Sequence, residues 1–253
     1  MEDVITEGGG ASRFLEEDLN IFTPKSTPLP SPFIIFSHTL NQPLKPKLLI
    51  IALSPSSLSL FHNFPHKTLI ASLILPELSL SLPHNTALIH SLSPTTLLAT
   101  LPSPVASHRA RAVATLLVAD PIRPESVLIL DSIDPRNFRG KLSSDETVAF
   151  KLESSAERKM SDGDKLLGDL AYYPSGSVVD GLGAAVLARC QALNVRASLC
   201  VSWPQFDSAV VSFIKDLLRR GVLRGCELDF GFSDEVMKFG RSVDRGHQSE
   251  LYI

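Results

Sequence analysis

Residues 181–186 read Gly181-Leu182-Gly183-Ala184-Ala185-Val186. This is part of the glycine pattern that lets a backbone approach a pyrophosphate at a helix N-terminus. The third glycine is missing, and Tyr172-Tyr173-Pro174 stands where the preceding strand belongs. The two glycines are therefore assigned to close packing of a helix on a sheet. His62 and His66 have the four-residue spacing that places two imidazoles on one helical face, but Pro65 breaks a helix between them and no acid or cysteine adjoins. No metal site is read there. His38, His84, His90 and His108 are scattered singly and read as ordinary surface or core residues. The carboxylate pairs Glu16-Glu17 and Asp145-Glu146 fall in loop-like stretches without sign of a closed pocket. Neither a phosphate-binding loop nor a Gly-x-Ser-x-Gly elbow occurs. A catalytic triad is decided by the fold rather than by spacing, since its members meet only there. Cys190, Cys200 and Cys226 form no Cys-x-x-Cys pair and are odd in number, which reads as reduced, mostly buried thiols. These residues point to a non-catalytic protein with no cofactor and no metal.

Chemistry of any kind needs a scaffold, and the composition supplies one. Hydrophobic residues make up 44% of 253, enough for a real core, and the net charge of −3 offers no general attraction to nucleic acid or an anionic membrane. Residues 1–10 lack the basic-then-apolar order of a signal peptide. The best apolar run, 48–53, falls far short of the ~20 residues that span a bilayer. The expected location is the cytosol or nucleus.

The expected fold class is α/β: a single layered domain, residues 32–232, with a central sheet flanked by helices. A flexible N-terminal arm, 1–31, precedes it, and a C-terminal tail, 233–253, follows. Gly8-Gly9-Gly10 and Pro24, Pro28 and Pro30 oppose regular structure in the arm. Phe14-Leu15 and Ile21-Phe22 could dock on the domain or on a partner. Residues 48–107 contain only two formal charges, Lys67 and Glu77. Apolar runs at 48–53, 68–75, 86–90 and 96–101 lie between prolines and read as strands. Residues 78–82, Leu-Ser-Leu-Ser-Leu, alternate with period two, as a half-buried strand does. So few charges mean either a covered surface or a serine-rich solvated face.

Ser103 as N-cap and Pro104 at the first helical position predict a helix with Val105, Ala112, Val113, Leu116 and Leu117 inside. Pro121 and Pro124 stop it, and 127–130 reads as a buried strand. Residues 132–172 read as long surface loops, with the charges of 153–165 in solvent. Ser177 and Asp180 suggest a capping box for a helix over 178–193 with Leu182, Ala185, Val186 and Leu193 on one face. A strand at 197–202 and a turn at Trp203-Pro204 follow. Asp207 then caps a second helix with Val210, Val211, Ile214, Leu217 and Leu218 inside, closed by Arg219-Arg220 and Gly221.

One stretch carries a resemblance. Asp180-Gly181-Leu182 and Ala184-Ala185-Val186-Leu187 leading to Cys190-Gln191, followed by the apolar strand 197–202, resemble the proteasome assembly chaperone family on its chaperone 1 branch, in a plant-like form. The final Leu251-Tyr252-Ile253 is similar to the hydrophobic–Tyr–X terminus of that family and of proteasome activators. Specific similarity covers roughly the last third of the chain. The resemblance implies a Rossmann-like α/β domain, a heterodimer with proteasome assembly chaperone 2 and binding to the alpha ring, made of proteasome alpha subunits, of the assembling 20S core. It implies no catalysis, with Leu251, Tyr252 and Ile253 as the protein-binding residues. Physically, Leu251 would gain ~1.5–3 kcal/mol on burial. Tyr252 adds a flat ring and a hydroxyl, and a terminal carboxylate can pair with a lysine. The alternative reading is an α/β enzyme of purine nucleoside phosphorylase-like fold, which needs a pocket with converging polar groups and a perturbed titratable residue.

Overall fold

The computed structural model describes residues 30–221 except 40–41, 63, 65–66, 79–84 and 144. The arm with Phe14-Leu15, Glu16-Glu17 and Ile21-Phe22, the tail with Leu251, Tyr252 and Ile253, and also His66, His84 and Cys226 lie outside the described residues. So does most of the alternating run 78–82.

The strands are β1 (Phe33–Phe36), β2 (Leu48–Ala52), β3 (Thr68–Ile74), β4 (Ala87–Ser93), β5 (Thr96–Thr100), β6 (Ser126–Ser132), β7 (Val148–Glu153) and β8 (Arg196–Trp203). The helices are α1 (Pro55–His62), α2 (Ser107–Val118), the short α3 (Ser155–Arg158), α4 (Gly181–Ala192) and α5 (Ser208–Arg220). The sheet order is β1-β3-β4-β5-β2-β6-β8-β7. The four central strands β5, β2, β6 and β8 run parallel, and antiparallel strands complete both sides. This is the single α/β domain with a helix-flanked central sheet that the patterning predicts.

Two apolar layers hold the helices to the sheet. On one face Leu49, Ile51, Val127 and Ile129 meet Val113 and Leu117 of α2 and Leu182 and Val186 of α4. On the other, Leu48, Ile50, Leu128 and Leu130 meet Phe61 of α1 and Val210, Ile214 and Leu218 of α5. Adjacent residues of β2 and β6 thus serve opposite layers. That is why these strands are unbroken apolar runs, as strands buried on both faces must be.

The low-charge region differs from its reading as strands alone. Residues 55–62 form α1, in which Ser56, Ser57 and Ser59 are fully buried. Ser54 starts it: its Oγ accepts the Ser57 N–H at 3.2 Å, with Pro55 next in the chain. Ser57 Oγ donates to Ser54 O at 2.8 Å, and Ser56 Oγ to Gln205 O at 2.9 Å. The surface is covered in this part, with the serine hydroxyls bonded internally. Both charges of the region are used as well. Lys67 Nζ donates to the Phe61 and His62 carbonyls at the end of α1, while Glu77 pairs with the buried Arg109 of α2 at 3.0 Å. At the far edge of the sheet, Phe33, Ile35 and Leu69 remain exposed.

Four local expectations are corrected. Ser103 does not cap α2, which starts at Ser107; the Ser103 hydroxyl donates to Asn85 Oδ1 instead, and Val105 packs on the core from the preceding loop. Ser177 and Asp180 form no capping box. Ser177 Oγ accepts the Arg139 N–H at 2.8 Å, Asp180 Oδ2 accepts from Asn137 Nδ2 at 2.9 Å, and α4 begins at Gly181 without a side-chain cap. Leu193 is exposed because the helix ends at Ala192. Residues 148–153, read as loop, form the edge strand β7 beside β8, and the Phe138 ring of the supposed surface loop packs at a tilt against Phe150 and Tyr173. The second helix agrees with its reading: Asp207 Oδ1 accepts the Ala209 N–H at 2.6 Å and the five named residues are buried.

Candidate functional site

The parallel strands end together on one side of the molecule, and their ends enclose a crevice of about 620 Å³. Each wall comes from a different strand end. Leu53 and Pro55 follow β2, residues 101–105 follow β5, Asp131 and Ser132 end β6, and Asp134 lies just beyond it. The loop 178–180 and the first turn of α4 close the remaining side. The place follows from topology. The chain passes from β2 to β5 on one flank of β2, and then crosses to β6 on the other. Such a reversal parts the connections at the carboxyl ends of the strands and leaves a gap between them.

Asp131 is a half-buried acid in this wall. It lies on the α4 face of β6, since Val127 and Ile129 of the same strand face that layer. Its Oδ1 accepts the Ser132 N–H at 2.8 Å. Its Oδ2 lies 2.6 Å from where a Cβ on Gly183 would stand, so a glycine in the first turn of α4 is what admits the carboxylate. Burial pushes the carboxyl up to about 6; the Ser132 N–H opposes this and nearby Asp180 adds to it. Gly181, with φ of +65°, starts the helix in the left-handed region that favours glycine. Of the two glycines, then, Gly183 serves close packing as expected, while Gly181 serves a turn.

Around Asp131, Asp134 takes a fork from Arg136, with Nη2 to Oδ2 at 2.7 Å and Nε to Oδ1 at 3.1 Å. That partner holds the Asp134 carboxyl below the usual range. Arg136 is the one basic side chain among the described lining residues. Sequence reasoning missed Asp131. Its signal was an acid ending the apolar run of β6, a position that acquires meaning only once parallel strands are aligned.

The other candidates are placed apart. His62 ends α1, and His90 lies in β4, buried, with its ring held toward the neutral form by burial and by Lys67. Asp145 lies on the surface. Cys190 and Cys200 are buried free thiols, each pushed up to about 12 by burial. At that value a thiol is inert as a nucleophile. Among the described residues, no group of three or more His, Cys, Asp or Glu side chains is placed to hold a metal ion, and no helix is long and apolar enough to cross a membrane.

No family model matches the sequence, and no curated protein matches it. Solved structures do share the fold. PbaB of Pyrococcus furiosus, described as an archaeal proteasome activator, superposes with a TM-score of 0.59 at 11% identity, covering 87% of this chain and 99% of its own. PbaA of the same organism, described as an archaeal homolog of proteasome-assembly chaperone, gives 0.56 at 12% identity, covering 86% and 91%. A Thermoplasma acidophilum protein of unknown function gives 0.56 at 13% identity, covering 83% and 88%. At these identities the likeness is one of fold.

Proposed function

We propose that this chain is a non-catalytic assembly chaperone for the 20S proteasome core, working in the cytosol or nucleus. In this reading it pairs with a proteasome assembly chaperone 2-type partner and caps the outer face of the alpha ring. Leu251, Tyr252 and Ile253 then enter a pocket on an alpha subunit. The observation that carries the reading is the fold shared over more than four fifths of both chains with a chaperone homolog and a proteasome activator. The chaperone-like run 180–191 forms α4 and its approach in that fold, and the Leu-Tyr-Ile ending supplies the anchor. Exposed Phe33, Ile35 and Leu69 at an uncharged sheet edge also suit a protein partner.

The phosphorylase-like alternative is not favoured. The crevice does offer a pocket and a perturbed acid. However, its lining sets three aspartates against one arginine that is already paired, a charge pattern that repels phosphate.

A three-residue anchor alone binds weakly, on the order of 10–1000 μM, because ordering the tail offsets most of the contact energy. Domain contacts and the second chaperone must supply the rest. Co-sedimentation with latent 20S particles tests this. The reconstituted pair should bind, and a chain ending at Glu250 should lose most of its affinity. Equal binding by both would remove the anchor role from the last three residues. Failure of both, with a stable partner complex in hand, would overturn the assembly reading.

A further inference from the structure

The crevice at the strand ends has no part in the assembly reading, whose contacts lie on the tail and the outer surface. We propose that it is a binding site for a small cationic molecule, a primary amine or guanidinium on a short apolar stem, with the head group held by Asp131.

Size comes first. About 620 Å³ falls within the ~300–1,000 Å³ of small-molecule sites. The position is the one where open parallel sheets part their connections. The walls are apolar on two sides: Pro102, Pro104 and Val105 after β5, and Val178, Val179 and Leu182 at the approach to α4. Such walls suit a hydrocarbon stem and give it no hydrogen bond to lose.

Charge then fixes the head group. Asp131, Asp134 and Asp180 line the space, and Arg136 is spent on Asp134. Asp180 accepts the neutral amide of Asn137 and, among the described residues, forms no ion pair within 4 Å, although Arg136 feels its charge at longer range. Asp131 takes one backbone N–H and forms no ion pair among the described residues. A half-buried carboxylate that lacks a cation gains more from an incoming N⁺–H donor than a solvated one does, because the surrounding dielectric is lower. Gly183 keeps the carboxylate there, since a side chain at that position would displace it.

Agmatine is the probe, because it joins a guanidinium and an amine through a four-carbon stem. Titration calorimetry on the full chain at about pH 7.5 should show saturable binding. N-butylurea, with a similar stem and a neutral head, should bind at least about tenfold more weakly. Asp131→Asn keeps the acceptor for the Ser132 N–H and should weaken agmatine by a similar factor. Val178→Arg places a cation at the exposed rim and should do the same without touching the core. Asp145→Asn, on the surface away from the crevice, should change nothing. Absence of saturation up to about 10 mM, equal binding of agmatine and butylurea, or an equal loss in Asp145→Asn would overturn the proposal. The outcome is independent of the assembly reading, since tail anchoring can persist whichever way agmatine behaves.

Discussion

Asp131 follows the apolar run of β6, and its carboxylate rests against the first turn of α4 with the Ser132 N–H as donor. Burial raises it from 3.8 to about 6. A folded-state value above the unfolded one means that the fold favours the protonated acid. The associated stability is fully present below about pH 4 and is lost as pH rises through about 6. Asp134, Arg136, Tyr173, Asp180 and the Cys200 thiol surround the group, and Asp180 is the neighbour that pushes it the same way. Asp131→Asn should therefore match the wild type near pH 4 and exceed it near pH 7 by on the order of 1–3 kcal/mol. Urea unfolding at the two pH values checks this. A gap that does not change with pH would mean that the carboxylate is not desolvated.

The edge strand β7 and the short helix α3 hold the segment 161–172 through buried charges. Glu157 is fully buried; its Oε1 accepts the Leu166 N–H at 2.6 Å and its Oε2 the Arg196 Nε–H at 2.9 Å. Arg196 also reaches the Asp164 carbonyl. Lys151 Nζ donates to the Leu167 and Gly168 carbonyls and lies 3.0 Å from Glu153 Oε1, whose partner oxygen accepts from the Tyr172 hydroxyl. Glu157→Ala leaves a guanidinium and a backbone N–H without their acceptor. It should cost about 2–4 kcal/mol, below the full cost of a broken buried pair because Arg196 keeps 31% exposure. Trypsin should then cut at Lys165 faster than it does in the wild type. Unchanged proteolysis with lowered stability would show that the network holds the core and not the segment.

At the scale of the molecule, one sheet serves two helical layers. Leu49 and Ile50 are neighbours on β2, both fully buried, and they face opposite sides. Leu49→Ala and Ile50→Ala should each cost about 2–5 kcal/mol. Because the layers share β2 and β6, both substitutions should lower a single calorimetric transition. Two transitions, each sensitive to one substitution, would mean that the layers unfold separately.

Local pattern alone determined the fold class. The unbroken apolar runs of β2 and β6 require burial on both faces. The five-residue stripe of α5 and the Asp207 cap fix a helix whatever surrounds it. The same rules misplaced elements whose burial depends on distant partners. The Ser-Pro signal operates at Ser54-Pro55 and not at Ser103-Pro104. The serines of α1 are tolerated inside because Gln205, far along the chain, accepts one of them. Strand β7 looked like a charged loop because Lys151, Glu153 and Glu157 find their partners 15 to 40 residues away, in Leu167, Tyr172 and Arg196. The crevice is wholly tertiary. It exists only where parallel strands align their carboxyl ends, and no spacing along the chain encodes that alignment. The Leu251-Tyr252-Ile253 ending, proposed as an anchor, is the reverse case, legible as a motif in the sequence and lying outside the described residues. The division follows from physics: periodicity reports which face of an element is apolar, whereas a site is made of groups that only long-range pairing brings together.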